Sequence, residues 1–354
     1  MIDQFPILKK YTYLNTANHG LLSQELLEYR RSLDEKMRDQ ASIFTNHRHD
    51  FIDEVRHTIA NFVDADPDLT AVIPNFSIGY NTLISGLTAS ASFLLLKGDY
   101  PSVNEPVISR GFKTHFVAID QQMESHIVAL CEKEQPDFFC FSMVQYTSGI
   151  LMDLDFLSDL KSRFPNMIMI ADCTQYIGVE EFRFRESGID IIIASCYKWL
   201  HAGDGNGFIC IKEEVQEQIF SKAAERKKAP NSINSNGTFI SRFEPGHQDM
   251  IAFGTLQQAI IKIQEMGWKQ VETPVKELSK TVKAAFEKRQ LLSPIVVARK
   301  QHSPIFNIKG NQELFDKLRD HDIITSMRGD GIRVSFSFFN TVQDLNKLLY
   351  VLDL

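Results

Sequence analysis

The chain has 354 residues, 44% hydrophobic and 23% charged, with a formal net charge of −7. That length suffices for one large domain plus a smaller one, and the acidic balance argues against a dedicated nucleic-acid binder. No apolar run approaches the ~20 residues of a membrane span, the opening Met1-Ile-Asp-Gln-Phe-Pro6 lacks the regions of a secretory signal, and the five scattered cysteines (131, 140, 173, 196, 210) form no disulfide framework, so a cytoplasmic protein is expected.

In chain order, residues 23–40 and 50–63 have helical patterns; the second brings Phe51, Val55, Ile59 and Phe62 to nearly one face. Ala71–Pro74 reads as a strand, and a turn at Asn75-Phe-Ser77 leads into a helix expected to run to about Phe93, with Ser77 a plausible cap. Pro106–Ser109 and Thr114–Ile119 read as strands, Gln122–Glu134 as a helix, and Phe138–Met143 as a strand. A helix over Leu157–Arg163 stops before Pro165. Strands then fall at Asn166–Ala171, Asp190–Ala194 and Phe208–Ile211, the last after the turn Gly203-Asp-Gly-Asn-Gly207. This alternation predicts an α/β fold with a mostly parallel sheet.

The basic cluster Lys222–Lys228 contains Glu225 and reads as a solvated helix end, and 229–238 is a polar loop. Helices are expected at 250–266, 271–289, 311–320 and 341–352, and strands at 295–298, 304–308, 323–327 and 331–336. The tail is thus a smaller α+β unit. The expected division is an opening active-site segment (1–20), a large domain (21–255) and a small C-terminal domain (256–354).

Ligands of parallel sheets gather beyond the carboxyl ends of the strands. Lys198 lies just past the strand 190–194, three residues after Ser195, between the apolar covers Tyr197 and Trp199. Alone it could be a lysine that snorkels from a strand end, or an amine able to condense with an aldehyde. Asp172 ends the strand before it, with Gln175 three residues on. A carboxylate there could bind metal, act as a base, cap the next segment, or pair with a cationic ring nitrogen. Too few ligands are nearby for a metal, and none is expected. A ring-nitrogen partner explains Asp172 better, with Gln175 reaching a ring hydroxyl. Ser77 and Ser195 offer donors for a phosphate, although no Gly-x-Gly-x-x-Gly or Walker-type loop is present.

Taken together, these stretches resemble the class V aminotransferase family of fold-type I pyridoxal-phosphate (PLP) enzymes, related to cysteine desulfurases, kynureninases and isopenicillin N epimerase-like proteins. Tyr13-Leu-Asn-Thr-Ala-Asn-His-Gly20 is similar to the family's opening active-site segment, and Asn75–Thr82 to its phosphate-binding turn. Ala171–Gly178 resembles the Asp-x-x-Gln signature, Ser195-Cys-Tyr-Lys198 the Schiff-base motif, and Ile332-Arg-Val-Ser335 the carboxylate-binding arginine region.

The resemblance implies a three-layer α/β/α fold with a smaller C-terminal domain, and PLP as cofactor. By it, Lys198 would carry PLP as a Schiff base and move protons, and Asp172 would pair with the ring nitrogen. Gln175 would reach the ring oxygen, Phe76, Ser77, Ser195 and Tyr197 would surround the phosphate, and Tyr100 would stack on the ring. Arg333 would take the substrate carboxylate, in a site completed by Asn18 and His19. The family implies a homodimer whose neighbouring chain completes the phosphate site. Here that stretch, Arg242-Phe-Glu-Pro-Gly246-His247, has histidine where relatives often have threonine. Tyr146 stands where relatives often place asparagine.

The implied partners are a small amino acid and a keto acid, with neither nucleic acid nor membrane. An aminotransferase is expected first. A lyase of kynureninase or β-elimination type, an epimerase, or a non-catalytic PLP-fold scaffold stays open. Cysteine desulfuration is disfavoured, because the late segment Ile324–Gly331 has no cysteine to accept sulfur.

Overall fold

The computed structural model of the chain describes residues 2–219 and 239–354. The basic cluster Lys222–Lys228 and the polar stretch 229–238 lie outside the described residues. The strands are β1 (Thr12–Tyr13), β2 (Thr70–Ile73), β3 (Ser92–Lys97), β4 (Lys113–Ala118), β5 (Phe138–Ser142) and β6 (Ile168–Asp172). They continue with β7 (Ile191–Ser195), β8 (Gly207–Ile211), β9 (Ile305–Lys309), β10 (Ile323–Ile324), β11 (Ser326–Arg328) and β12 (Gly331–Ser335).

Seven of them form the central sheet, in the order β2-β8-β7-β6-β5-β3-β4. Strands β7, β6, β5, β3 and β4 run parallel, while β8 is antiparallel to both its neighbours. The central strands are buried on both faces and alternate with period two. Leu94, Phe139, Phe141, Met169 and Ile192 pack on one side, against helices 48–63, 123–134, 154–163 and 250–266. Phe93, Phe138, Ile170, Ile191 and Ile193 pack on the other, against helices Phe76–Ser85 and Pro101–Ser109. The result is the expected three-layer α/β/α fold.

A second core lies in the C-terminal part, where β11, β12 and β9 form an antiparallel sheet. Phe306, Ile308, Ile332 and Val334 face helix residues Leu318, Leu345 and Leu348 there. Helix Trp268–Lys288 joins the two cores: Val271 and Val275 belong to the first, Leu278, Val282 and Phe286 to the second. The N-terminal segment packs with the C-terminal part, since β1 pairs with β10 and Leu14 lies in the second core.

Four expectations are corrected. The helix after Asn75 ends at Ser85, and Ser92–Lys97 is a strand, not its last turns. A short run such as Phe93-Leu-Leu-Leu96 has no period that separates helix from buried strand. Pro106–Ser109 is the end of helix Pro101–Ser109, which is started by Pro101 at its first turn and tied to β3 by Asn104 Nδ2 donating to Leu96 O (2.9 Å). Pro294–Ala298 is a short helix, also begun by a proline, where a strand was expected at 295–298. The expected strand 323–327 is split into β10 and β11 at Thr325.

Candidate active site

A cavity of about 460 Å³ opens at the carboxyl ends of the parallel strands. Asp172, at the end of β6, and Ser195, at the end of β7, line it together with Lys198, which follows in the next turn. Phe76, Ser77, Tyr100, Gln175 and Tyr197 also line it. Residues far apart in sequence meet here because β6 and β7 are adjacent and the helix at Phe76 starts beside them.

Hydrogen bonds tie these strand ends together. Asp172 Oδ1 accepts from Thr174 N (2.9 Å), and Thr174 Oγ1 accepts from Ser195 N (3.0 Å). Ser195 Oγ accepts from Phe76 N (2.8 Å), the first residue of helix Phe76–Ser85. Asn75 Oδ1 caps that helix through Ile78 N (3.0 Å), and the Ser77 hydroxyl donates to Ser102 Oγ (3.0 Å). A helix N-terminus flanked by hydroxyls is a natural anion cradle.

Lys198 and Asp172 are each 7% exposed. Burial lowers the Lys198 ammonium to about 8; Asp172 opposes this shift, while Arg333 and Arg328 add to it. Burial raises the Asp172 carboxyl to about 6, opposed by its hydrogen bonds from Thr174 and by the Lys198 charge. Both groups are thus moved toward their neutral forms by desolvation. The Lys198 Nζ lies 5.9 Å from the Tyr100 ring centre and 5.5 Å from that of Tyr197.

Gln175 is held from both ends: Nε2 donates to Ala17 O (2.8 Å), and Oε1 accepts from Trp199 Nε1 (2.8 Å). One of its amide hydrogens remains for another acceptor. Tyr146, in the position noted above, lines the cavity and meets Tyr100 edge-on, with ring centres 5.1 Å apart.

Arg333, Asn18 and His19 do not line this cavity, although Arg333 and His19 touch residues that do. The Arg333 Nη1 donates to Tyr146 O (2.7 Å), and burial with the neighbouring Arg328 charge lowers its guanidinium to about 10. The His19 ring lies 5.6 Å from that of Tyr197, and its Nε2 is 3.3 Å from Asp204 Oδ2. Asn18 Oδ1 accepts from Arg328 Nη2 (2.8 Å). Gly246 and His247 are exposed and do not line this cavity within the single chain.

Three residues escaped the sequence reading. Asp99 is buried at the end of β3 and accepts from Ser142 Oγ (2.6 Å), Ser142 N (2.9 Å) and Tyr100 N (2.6 Å). It therefore fixes the turn that carries Tyr100. His201 is buried, its Nδ1 accepts from Leu21 N (2.8 Å), and burial pushes its ring down to about 3. It stays neutral and pins the chain just after the opening segment. Gly20 donates to Tyr197 O (2.9 Å), and a Cβ there would collide with the Lys198 carbonyl, so the close approach requires glycine.

A three-layer sheet with a buried lysine and carboxylate beyond adjacent parallel strands defines a ligand-binding α/β fold. The Aminotransferase class-V model matches residues 18–348, and the chain belongs to that family. Membership implies a pyridoxal-phosphate cofactor. An uncharacterized aminotransferase of Bacillus subtilis (strain 168), YcbU, is 21% identical over 96% of this chain and 93% of its own length. An uncharacterized aminotransferase of Schizosaccharomyces pombe, C777.03c, is 24% identical over 58% of this chain and 55% of its own. The fold is shared with an apo cysteine desulfurase from Thermococcus onnurineus NA1, at TM-score 0.80 and 16% identity, covering 99% of this chain and 96% of that one. It is shared too with the cystine C-S lyase C-DES in complex with cysteine persulfide, at TM-score 0.84 and 17% identity, covering 99% of each chain.

Proposed function

We propose that the chain is a PLP-dependent aminotransferase acting on a small amino acid. The observation that carries this reading is the pairing of two buried, oppositely charged groups on one cavity, each displaced toward neutrality. Desolvation leaves the Asp172 carboxylate undercompensated, and a cationic ring nitrogen beside it would restore the balance. An amine lowered to about 8 has an appreciable neutral fraction near physiological pH, as aldehyde capture requires. The residues present therefore fit the cofactor.

In this reading Asp172 holds the ring nitrogen protonated, and Tyr100 covers the ring. Gln175 offers its remaining amide hydrogen to the ring oxygen. Ser77, Ser195, Tyr197 and the Phe76 turn surround the phosphate. Arg333 takes the substrate carboxylate, with Asn18 and His19 at the entrance. When bound, the cofactor supplies an electron sink that stabilises negative charge at the substrate Cα. Lys198 would take the proton from that Cα and return it, across the intervening nitrogen, to the carbon that carried the aldehyde; Tyr100 and Tyr197 would limit its path. Gly246 and His247, exposed in one chain, would serve the phosphate of a second copy in a homodimer. Five free, buried cysteines fit a reducing cytoplasm. Desulfuration is not proposed: none of the cysteines is exposed to carry sulfur away, and none lies in the late segment.

The test incubates the PLP-loaded protein with a panel of amino acids and follows keto acid, ammonia, sulfide and inverted product. Keto acid in stoichiometric amount, with the cofactor left as its amine and restored by an added keto acid, is the expected result. Ammonia without that recycling would replace transamination by elimination, and inversion alone would point to an epimerase. A chain that takes up no PLP would overturn the enzyme reading in favour of a scaffold.

A further inference from the structure

Two arginines share one face of the small antiparallel sheet. In β11 and β12, Ser326 opposes Arg333 and Arg328 opposes Gly331. Arg328 is two residues from Ser326, so its side chain leaves the same face as that of Arg333. The two are diagonal neighbours across one ladder, within reach of long side chains.

Neither has an acidic partner among the described residues. Arg333 is 3% exposed; Nη1 donates to a carbonyl and Nε has no partner among the described residues. Arg328 donates only to neutral oxygens, the Met327 carbonyl and the Asn18 amide. The nearest cavity acids are otherwise engaged: Asp172 faces Lys198, and Asp204 meets His19. The Arg328 charge is nevertheless felt at both Arg333 and Lys198. Arg328, Arg333 and Lys198 thus lie within electrostatic reach of one another, and Asp172 is the carboxylate that acts on Lys198.

The position of Arg328 is built rather than incidental. Asn307 Nδ2 donates to the Arg328 carbonyl (2.8 Å), and the Asn307 amide lies where a Cβ on Gly331 would be. Asn18 holds the guanidinium from the opening segment, leaving further N–H donors of its planar fork free. One α-carboxylate can satisfy one arginine as a bidentate pair. The second arginine then lacks a counter-charge.

We propose that Arg328 reads a second anionic group on the substrate, so that the chain selects an amino acid or keto acid carrying a distal carboxylate or phosphate-like group, with Arg333 on the α-carboxylate and Asn18 steering Arg328. This rests on the reading of Arg333 as the α-carboxylate partner. It does not depend on which reaction follows.

The test measures binding of unreactive acids to the PLP-loaded protein by calorimetry. Propionate and butyrate carry one charge, succinate and glutarate two, and 3-phosphonopropionate replaces the distal carboxylate. The two-charge ligands should bind about tenfold tighter or more, as one charge-assisted pair supplies. In Arg328→Gln the ratio between the two classes should collapse toward one, and Arg328→Lys should keep part of it. In Arg333→Gln both classes should weaken. Retained cofactor absorbance and an unchanged melting temperature show that each variant is folded and loaded. A tighter phosphonate supports the proposal and names a phosphate-like group. Equal affinity of both classes in the native protein, or equal weakening of both in Arg328→Gln, would overturn it. Loss of all acid binding in the native protein would instead sink the reading of Arg333.

Discussion

A lysine–aspartate pair lies at each end of strands β6 and β7, and the two pairs are built in opposite ways. At the amino ends, Lys161 Nζ sits 2.7 Å from Asp190 Oδ2, and that oxygen also accepts from Met169 N (2.8 Å). Lys161 also donates to Met167 O (2.9 Å), so the charges are closed on each other and on the backbone. At the carboxyl ends, Asp172 and Lys198 share a cavity but no ion pair forms between them. Burial raises the carboxyl group in both pairs. Only at the amino end is the cost offset by a direct partner. A closed pair aligns two strands; an open one keeps its charges available for a ligand, at a cost in stability of the empty protein.

The sharpest way to break this contrast is to remove each lysine. Lys198→Ala should reduce turnover by about a thousandfold or more, as loss of a positioned proton-transfer group does, and should leave the melting temperature of the cofactor-free protein unchanged or higher. Lys161→Met should do the reverse. It strands Asp190 in the interior and should cost about 3–5 kcal/mol in urea unfolding, while the cofactor spectrum of the surviving folded fraction stays native. Equal stability losses in both variants would erase the distinction.

Asp172→Asn tests the open pair from its acidic side. The folded carboxyl is raised from 3.8 to about 6, so its contribution to stability is full below 3.8 and lost as pH rises through about 6. Lys198 is lowered from 10.5 to about 8, so its contribution is full above 10.5 and lost as pH falls through about 8. Near pH 7 both ionised forms cost stability. Asp172→Asn should therefore leave the cofactor-free protein as stable or more stable at pH 7–8, yet weaken PLP retention on dialysis. The rate of PLP capture by the cofactor-free protein should rise from pH 7 to 9, following the neutral Lys198 amine; a flat profile would contradict the lowered value.

Smaller effects refine the comparison. Ser195→Ala removes the acceptor of Phe76 N and should cost about 1 kcal/mol along with weaker cofactor retention, measured by unfolding and by dialysis. Gly20→Ala should disturb the site more than the fold, because its new methyl meets the Lys198 carbonyl while most of the core is remote.

The contrast also explains what was legible in the sequence. Asp172, Ser195 and Lys198 were found because each follows an unmistakable apolar strand. Asp99 carries the same signal at the end of β3, but that strand was hidden inside an overlong helix, since Phe93–Leu96 has no distinguishing period. Asp99 was lost with its strand. The segments 106–109 and 294–298 misled because their apolar composition suits a strand, whereas the first-turn prolines Pro101 and Pro294 set helices. Arg328 follows no apolar strand that would mark it, and its nearness to Arg333 appears only once β11 and β12 are paired. Gly20 and His201 act through contacts across the chain that no local pattern reveals.

The central claim is that Lys198, at the open end of β6 and β7, is the lysine that holds pyridoxal phosphate. Loading the protein with PLP, reducing it with borohydride and locating the modified peptide by mass spectrometry tests it directly. The account predicts one modified lysine, Lys198, in the peptide that contains Ser195 and Trp199. Modification of another lysine with Lys198 untouched, or no stable modification at all, would contradict it.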